Sequence, residues 1–221
     1  MTVTISQSDL LATAAKVVQP RSFAAHNHYY AKALNAQLHP LVGFFLRLSR
    51  QRIIARYCHL NPRVSATALA AILATPPRHF RWSGADLLHA TDLDGRRRMI
   101  VIETNSCPSG NKSIPLLNED DELGGYGRVL KHAFLPLLRR RALPRGVLAV
   151  VYDKNFVEAS GYAAALAELT DEAVYLAPMA RDATEKASRF VDGVLQVRTE
   201  SKQWLDVRAA FRYVTQAPWD R

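Results

Sequence analysis

Glu103 and Asn105 are the residues whose types and spacing most directly suggest chemistry in this sequence. They follow a run of four apolar residues, Met99 to Ile102, which predicts a strand buried on both faces. Because side chains alternate along a strand, residues two apart point to the same face. A carboxylate and an amide placed in this way offer the oxygen ligands that Mg²⁺ prefers. The other interpretation is a polar strand end that leads into a turn at Pro108.

A second carboxylate is predicted to lie opposite Glu103. The dipeptide Asp94-Gly95 is a strong hairpin signal between two strand-like segments. A two-residue loop there sets the register of the strands, and that register places Asp86 directly opposite Glu103. Cross-strand neighbours have Cβ atoms about 4.5–5.5 Å apart, so two like charges repel unless a cation neutralises them. The sequence therefore predicts a divalent metal site formed by Asp86, Glu103 and Asn105.

The segment from Glu103 to Gly110, Glu-Thr-Asn-Ser-Cys-Pro-Ser-Gly, resembles the Glu-x-Asn-x-x-Pro-Gly motif of ATP-grasp ligases. The order of the segments is similar to that of circularly permuted ATP-grasp proteins, a group that includes glutathionylspermidine-synthase-like chains. The resemblance covers roughly residues 80 to 221. It implies that Glu103 and Asn105 hold the magnesium ion of ATP together with an acidic residue on the partner strand. Asp86 stands at the position where that acidic residue is needed.

The same resemblance implies further contacts to ATP. In the family an arginine shortly before the metal-binding acid contacts phosphate, and Arg81 is the nearest candidate for this catalytic role. Ser109 and Gly110 belong to the motif and are expected to bind the cofactor. Lys112 has two interpretations, a group that neutralises a carboxylate or phosphate near the metal, or an ordinary loop lysine. The expected cofactors are ATP and Mg²⁺, and the expected substrates are a small-molecule carboxylate and an amine.

The elements that must position these residues fall into three expected regions. Residues 1–78 are predicted to form a helical layer that packs on the sheet. Residues 79–144 are expected to form the metal-binding lobe, an antiparallel ATP-grasp-like sheet with the hairpin 86–105 and a following helix. Residues 145–221 read as strand, helix and strand, which predicts a parallel pair and a small Rossmann-like domain resembling the pre-ATP-grasp domain. The predicted fold class is therefore α+β / α/β.

Apolar periodicity predicts the individual elements. Helices are expected over residues 8–18, 23–38 and 41–57, and Ser65 is expected to cap a fourth helix. Another helix with an apolar face is expected over residues 126–141. The strand, helix and strand of the last region are predicted at residues 146–151, 157–169 and 173–176.

The composition, with 48% hydrophobic and 22% charged residues, is that of an ordinary globular protein. No apolar run approaches the roughly 20 residues of a membrane span, and the first residues lack the basic and apolar parts of a signal peptide. The two cysteines, Cys58 and Cys107, form no metal-binding pair. These features predict a cytoplasmic protein without a membrane partner, and they leave a homo-oligomer open.

The net charge of +9 is compatible with nucleic acid, with phosphate-bearing ligands or with a surplus of surface arginine. The excess is spread over residues 47–52, 96–98 and 139–141, and it lacks the interleaved aromatic residues typical of single-strand binders. A basic nucleic-acid-binding protein is therefore the third of three functional hypotheses.

The first hypothesis is part of an ATP- and Mg-dependent carboxylate–amine ligase that proceeds through an acylphosphate, as the resemblance implies. The second is a non-catalytic or truncated ATP-grasp-like protein that binds a ligand or a partner. It arises because the lobe that encloses adenine in the family is expected to follow Arg221, after the pre-ATP-grasp-like domain.

Overall fold

The computed structural model of this protein describes residues 12–28, 40–105, 123–139, 142–179 and 185–214. The chain forms two compact units: residues 33–81 make one, and residues 1–32 together with 82–221 make the other. The region boundaries expected at residues 78 and 144 stay predictions. Within the described ranges, no helix is both long enough and apolar enough to cross a membrane.

The described strands are β1 (Lys16–Val18), β2 (Gly84–Thr91), β3 (Arg97–Asn105), β4 (Val147–Tyr152), β5 (Val174–Pro178), β6 (Ser188–Val191), β7 (Val194–Arg198) and β8 (Trp204–Tyr213). The described helices are α1 (Pro40–Leu46), α2 (Arg50–Leu60), α3 (Ala66–Ala74), α4 (Gly124–Val129), α5 (Leu135–Leu138) and α6 (Phe156–Thr170). Six strands form one mixed sheet in the order β1-β5-β4-β8-β7-β6, and β2 pairs with β3 in a separate antiparallel sheet. The fold is thus mixed α and β, as predicted.

The centre of the larger sheet confirms the predicted strand–helix–strand unit. β4 runs parallel to β5, to which α6 connects it, and β8 lies parallel to β4 on its other side. The β4 sequence is apolar throughout because both of its faces are buried. Leu148 and Val150 contribute to the core cluster that contains α6, whereas Ala149 and Val151 contribute to a second cluster.

Aromatic rings fill the core between this sheet and the helices. Tyr162 of α6 stacks on Phe211 of β8 with ring centroids 4.3 Å apart, and Tyr126 of α4 meets Tyr162 edge-on at 4.7 Å. Gly161 permits this contact, because a Cβ at that position would lie 2.6 Å from the Tyr126 ring. Trp82 stacks against Phe211 at 6.1 Å. This contact anchors the chain to the core two residues before β2 begins.

The helix predicted over residues 126–141 begins two residues earlier and contains a π-helical turn. It consists of α4, the π turn Leu130–Phe134 and α5 in direct succession. Pro136 follows the π turn closely and has no N–H to donate, so regular α-helical hydrogen bonding cannot continue unchanged through this point. Leu130 and Phe134 are nevertheless buried in the core.

The helix predicted over residues 8–18 is wrong in its described part. Residues 16–18 form β1, which pairs antiparallel with β5, and residues 12–15 are not helical. Directly before β1, the N–H of Ala15 donates at 2.7 Å to the backbone oxygen of Arg198, the last residue of β7. Tertiary hydrogen bonds of this kind override a weak local preference for helix. Of the helix predicted over residues 23–38, the described part shows only the 3₁₀ turn Ala25–Asn27.

The smaller unit is helical, and one predicted helix is divided in two. The helix expected over residues 41–57 is α1 followed by α2, because Ser49 adopts an extended backbone and caps α2. The Oγ of Ser49 accepts a hydrogen bond from the backbone N–H of Arg52 at 3.3 Å. Ser65 caps α3 in the same manner, as predicted. No residue of α2 or α3 is buried.

Candidate functional site

The candidate site lies on the hairpin of β2 and β3, whose loop is one residue longer than predicted. Leu93, Asp94 and Gly95 form the loop. The backbone N–H of Asp92 donates to the oxygen of Arg96 at 3.0 Å, and that of Gly95 donates to the oxygen of Asp92 at 3.0 Å. Gly95 has a φ of 75°, a conformation that glycine adopts without strain. A turn closed by such a glycine is the usual form of a three-residue hairpin loop.

Asp92 stabilises this loop through its side chain. One carboxylate oxygen accepts hydrogen bonds from the backbone N–H groups of Asp94 at 3.1 Å and Arg96 at 2.8 Å. The other accepts from Nε of Arg98 at 2.8 Å. These hydrogen bonds, and above all the one from the Arg96 backbone, lower the pKa of Asp92. The ionised carboxylate is therefore part of the turn structure.

The register of the strands places Asp86 directly opposite Glu103, as predicted, although two details differ from the prediction. Between the loop and Leu87, the pairing is one residue out of the predicted register, because the loop has three residues. A β-bulge next to Asp86 then places one extra residue, Ile102, on β3. The bulge restores the predicted register, so the two carboxylate residues become cross-strand neighbours.

Asn105 completes the polar end of the hairpin. Its Nδ2 donates a hydrogen bond to Oε1 of Glu103 at 3.1 Å. Asp86 and Glu103 are exposed and Asn105 is half-buried, so all three side chains are accessible to a ligand. Because the amide nitrogen of Asn105 faces Glu103, the amide must rotate to present its oxygen to a cation that Glu103 also binds.

The donor set fits a magnesium ion that takes its remaining ligands from outside the protein. In the part of the chain that the structure describes, no three His, Cys, Asp or Glu side chains cluster as a metal site. A metal on this hairpin would depend on two carboxylates and on the oxygen of the Asn105 amide. Mg²⁺ sites that use one or two carboxylates together with phosphate oxygens and water have this composition.

The other predicted contacts to ATP involve Arg81, Ser109, Gly110 and Lys112. Arg81 belongs to the smaller unit, and its Nη1 donates to the backbone oxygen of Phe80 at 2.9 Å. Ser109, Gly110 and Lys112 lie outside the described residues. The roles of all four residues stay predictions.

The apolar residues of the hairpin are exposed, which corrects the prediction that Met99 to Ile102 are buried on both faces. Ile100 is 46% exposed, Val101 59% and Ile102 62%. Leu88, which pairs with Ile100 on β2, is 50% exposed. Among the described strands none pairs with the outer edge of β2 or of β3. The hairpin therefore has the apolar sequence of a buried sheet, but no layer covers it in the part of the chain that the structure describes.

A second polar region, which the sequence did not reveal, lies at the carboxyl ends of the parallel strands. Asn155, between β4 and α6, has a φ of 50°, and its Nδ2 donates to the hydroxyl of Tyr213 at 3.4 Å. Tyr152 and Phe156, on either side of this loop, line a cavity that Lys16 also lines. These residues come from distant parts of the chain. The predicted strand–helix–strand unit was the one available signal, because ligands often bind at such strand ends.

The hairpin motif and the mixed sheet are the features that this chain offers for comparison with known proteins. The chain matches no protein-family model, no curated protein and no solved structure. The resemblance to ATP-grasp ligases therefore depends on the motif residues of this chain and on the order of its segments.

Proposed function

We propose that the hairpin is the magnesium-binding part of an ATP-dependent carboxylate–amine ligase of the ATP-grasp type. The observation that carries this proposal is the position of Asp86 opposite Glu103, with Asn105 in contact with Glu103. Like charges directly opposite each other on neighbouring strands destabilise a sheet. A divalent cation bound between the carboxylates removes that repulsion, so a metal site explains why two carboxylates occupy opposite positions.

The β-bulge supports the proposal because it creates the carboxylate pair. In the register set by the three-residue loop, Asp86 would lie opposite Ile102, and Glu103 would lie opposite Ala85. Since a slip of one residue moves a side chain to the other face, the two carboxylates would then point to opposite faces of the hairpin. The single extra residue at the bulge places both on one face. Bulges are over-represented next to active sites, where they redirect a side chain.

In a ligase of this class, ATP converts the carboxylate substrate to an acylphosphate, from which an amine displaces phosphate. When bound, Mg²⁺ neutralises and orients the phosphate oxygens during this transfer. Asp86, Glu103 and Asn105 would hold the ion from the protein side, which leaves its other positions to nucleotide oxygens and water. Arg81 would contact phosphate, and Ser109, Gly110 and Lys112 would bind the nucleotide.

Direct metal titration of the full chain tests the site. Glu103→Gln keeps the size and polarity of the side chain but removes one charge. We expect the Mn²⁺ or Mg²⁺ affinity to fall about tenfold or more, because a charged partner contributes about 1.5–3 kcal/mol and about 1.4 kcal/mol is a factor of ten. Asp94→Asn is the matched control, because Asp94 is an exposed acid in the loop of the same hairpin. Equal affinities for the two variants would contradict the site.

The second candidate is a non-catalytic ATP-grasp-like module that binds a ligand or partner, and the exposed apolar residues of β3 favour it. The two candidates differ in turnover. Amine-dependent release of phosphate from ATP, tested over a panel of carboxylates and abolished by Glu103→Ala, supports the ligase. Metal-dependent nucleotide binding without turnover supports the module.

A further inference from the structure

A cavity of about 340 Å³ lies at the carboxyl ends of the parallel strands β4 and β5. Tyr152 and Pro178, the last residues of these strands, line it together with Phe156 and Leu176. In open α/β sheets, ligands bind outside the carboxyl ends of the strands. The volume lies within the range of about 300–1,000 Å³ that is typical of small-molecule sites.

The cavity has one cationic and one anionic residue on walls that are otherwise mostly apolar. Lys16 of β1 and Glu200, in the turn between β7 and β8, both line it. The Nζ of Lys16 lies 5.6 Å from the centroid of the Phe156 ring, so its ammonium group is at the cavity wall. Within the described ranges, neither Lys16 nor Glu200 takes part in an ion pair. Both charges are consequently available to a ligand.

We propose that this cavity binds a small zwitterion, a molecule with a carboxylate and an ammonium group on a short aliphatic body, such as an α- or ω-amino acid. Lys16 pairs with the carboxylate and Glu200 with the ammonium group. The aliphatic part contacts Phe156 and Leu176. In the ligase, this zwitterion supplies the carboxylate or the amine that reacts, and that role rests on the proposed function.

The two opposite charges at the cavity predict a preference for zwitterions over ligands with a single charge. A monocarboxylic acid leaves Glu200 without a partner in the occupied cavity, and a monoamine leaves Lys16 without one. Lys16 and Glu200 are both exposed, so each ion pair contributes at most about 1 kcal/mol. A ligand that forms one of the two pairs therefore binds more weakly than a zwitterion of the same length, which forms both. A ligand that carries both charges satisfies both residues at once.

Binding to the full chain is measured by NMR or calorimetry without nucleotide and without metal. The ligands are glycine, β-alanine and γ-aminobutyrate, with propionate and propylamine as single-charge analogues. We expect at least one zwitterion to bind about threefold more tightly than both analogues, because an ion pair of an exposed side chain contributes at most about 1 kcal/mol. Lys16→Gln and Glu200→Gln should each abolish this preference. Lys16→Arg, which keeps the charge, and Lys186→Gln, an exposed lysine outside the cavity, should retain it.

The proposal is overturned if no zwitterion binds more tightly than both analogues, or if Lys16→Gln and Glu200→Gln bind them as the wild type does. Thermal unfolding of each variant verifies that the fold is retained. Glu103→Gln separates the two sites: it should weaken metal binding and leave zwitterion affinity unchanged, whereas Lys16→Gln should do the reverse. If the zwitterion binds but no metal does, the proposed ligase function is contradicted and the cavity assignment stands. If the metal binds but no zwitterion does, the cavity assignment is contradicted and the proposed metal site stands.

Discussion

β4 and the middle of β3 have similar apolar sequences, but their surroundings differ. In β4, Leu148 and Val150 are completely buried, with a parallel strand on each side and a core cluster on each face. In β3, Ile100 and Val101 are about half exposed, at 46% and 59%. An apolar run therefore indicates what a strand is able to bury, and its neighbours decide whether it is buried.

Polar groups differ between the same two regions. In the core around the six-stranded sheet, the hydroxyl of Tyr126 donates to the backbone oxygen of His28, and burial raises the pKa of Tyr126. The ring of His28 in turn forms a 2.9 Å hydrogen bond with Ser160. Tyr126 and Ser160 are buried, so these hydrogen bonds are largely inaccessible to a ligand. On the hairpin, Asp86 and Glu103 are exposed, which suits residues that bind a ligand.

The largest expected effect comes from making the same substitution in both regions. Leu148→Ala removes a fully buried side chain and should lower the free energy of unfolding by about 3 kcal/mol. Leu88→Ala removes a half-exposed side chain of β2 and should cost less than about 1 kcal/mol. Chemical denaturation of both variants measures the difference. Equal costs would show that the hairpin is covered as completely as the core.

Gly161→Ala should have the next largest effect, because the new Cβ would lie 2.6 Å from the Tyr126 ring. Overpacking of this kind costs about 1–3 kcal/mol. In a Tyr126→Leu background, the ring is absent and the penalty should shrink. A double-mutant cycle by denaturation measures the coupling, and an undiminished penalty in that background would contradict the assigned contact.

His28 predicts a smaller, pH-dependent effect. Burial, followed by the charges of His26 and Lys16, lowers the pKa of His28 below its ordinary value of 6.5. The unfolded chain therefore binds a proton more readily than the folded chain, so stability is complete above about pH 6.5 and falls as the pH drops from there towards the lower folded pKa. His28→Gln should flatten this part of the stability profile. A profile that is unchanged by the substitution would contradict the burial of His28.

The smallest effect is expected in the hairpin loop. Asp92→Ala removes the acceptor of the Asp94 and Arg96 N–H groups and should speed amide hydrogen exchange in β2 and β3. Because the pKa of Asp92 is lowered, its contribution is present above the ordinary pKa of about 3.8 and is lost as the pH falls through the folded pKa. Asp94→Ala leaves these acceptors in place and should exchange as the wild type does. Equal exchange in both variants would show that the Asp92 side chain does not hold the loop.

Local patterns predicted the elements whose interactions are themselves local. The strand–helix–strand unit of β4, α6 and β5 follows from apolar periodicity, and the cap of α3 follows from Ser65. For the candidate site, the sequence predicted that Asp86 and Glu103 are opposite each other, because the position of a hairpin loop predicts which residues of its two strands pair. Asp86 and Glu103 are opposite each other because a longer loop and a bulge offset each other, and the sequence pattern showed neither feature.

The sequence by itself determined the mixed strand and helix content, the hairpin and the residue types of its polar end, because these depend on periodicity and on short-range turn chemistry. Only the tertiary structure decided that Lys16 lies in a strand and pairs with Leu176. It also decided that β4 is buried while β3 is exposed. Contacts between residues far apart in the chain determine such outcomes, and they outweigh local propensities that amount to a fraction of a kcal/mol per residue.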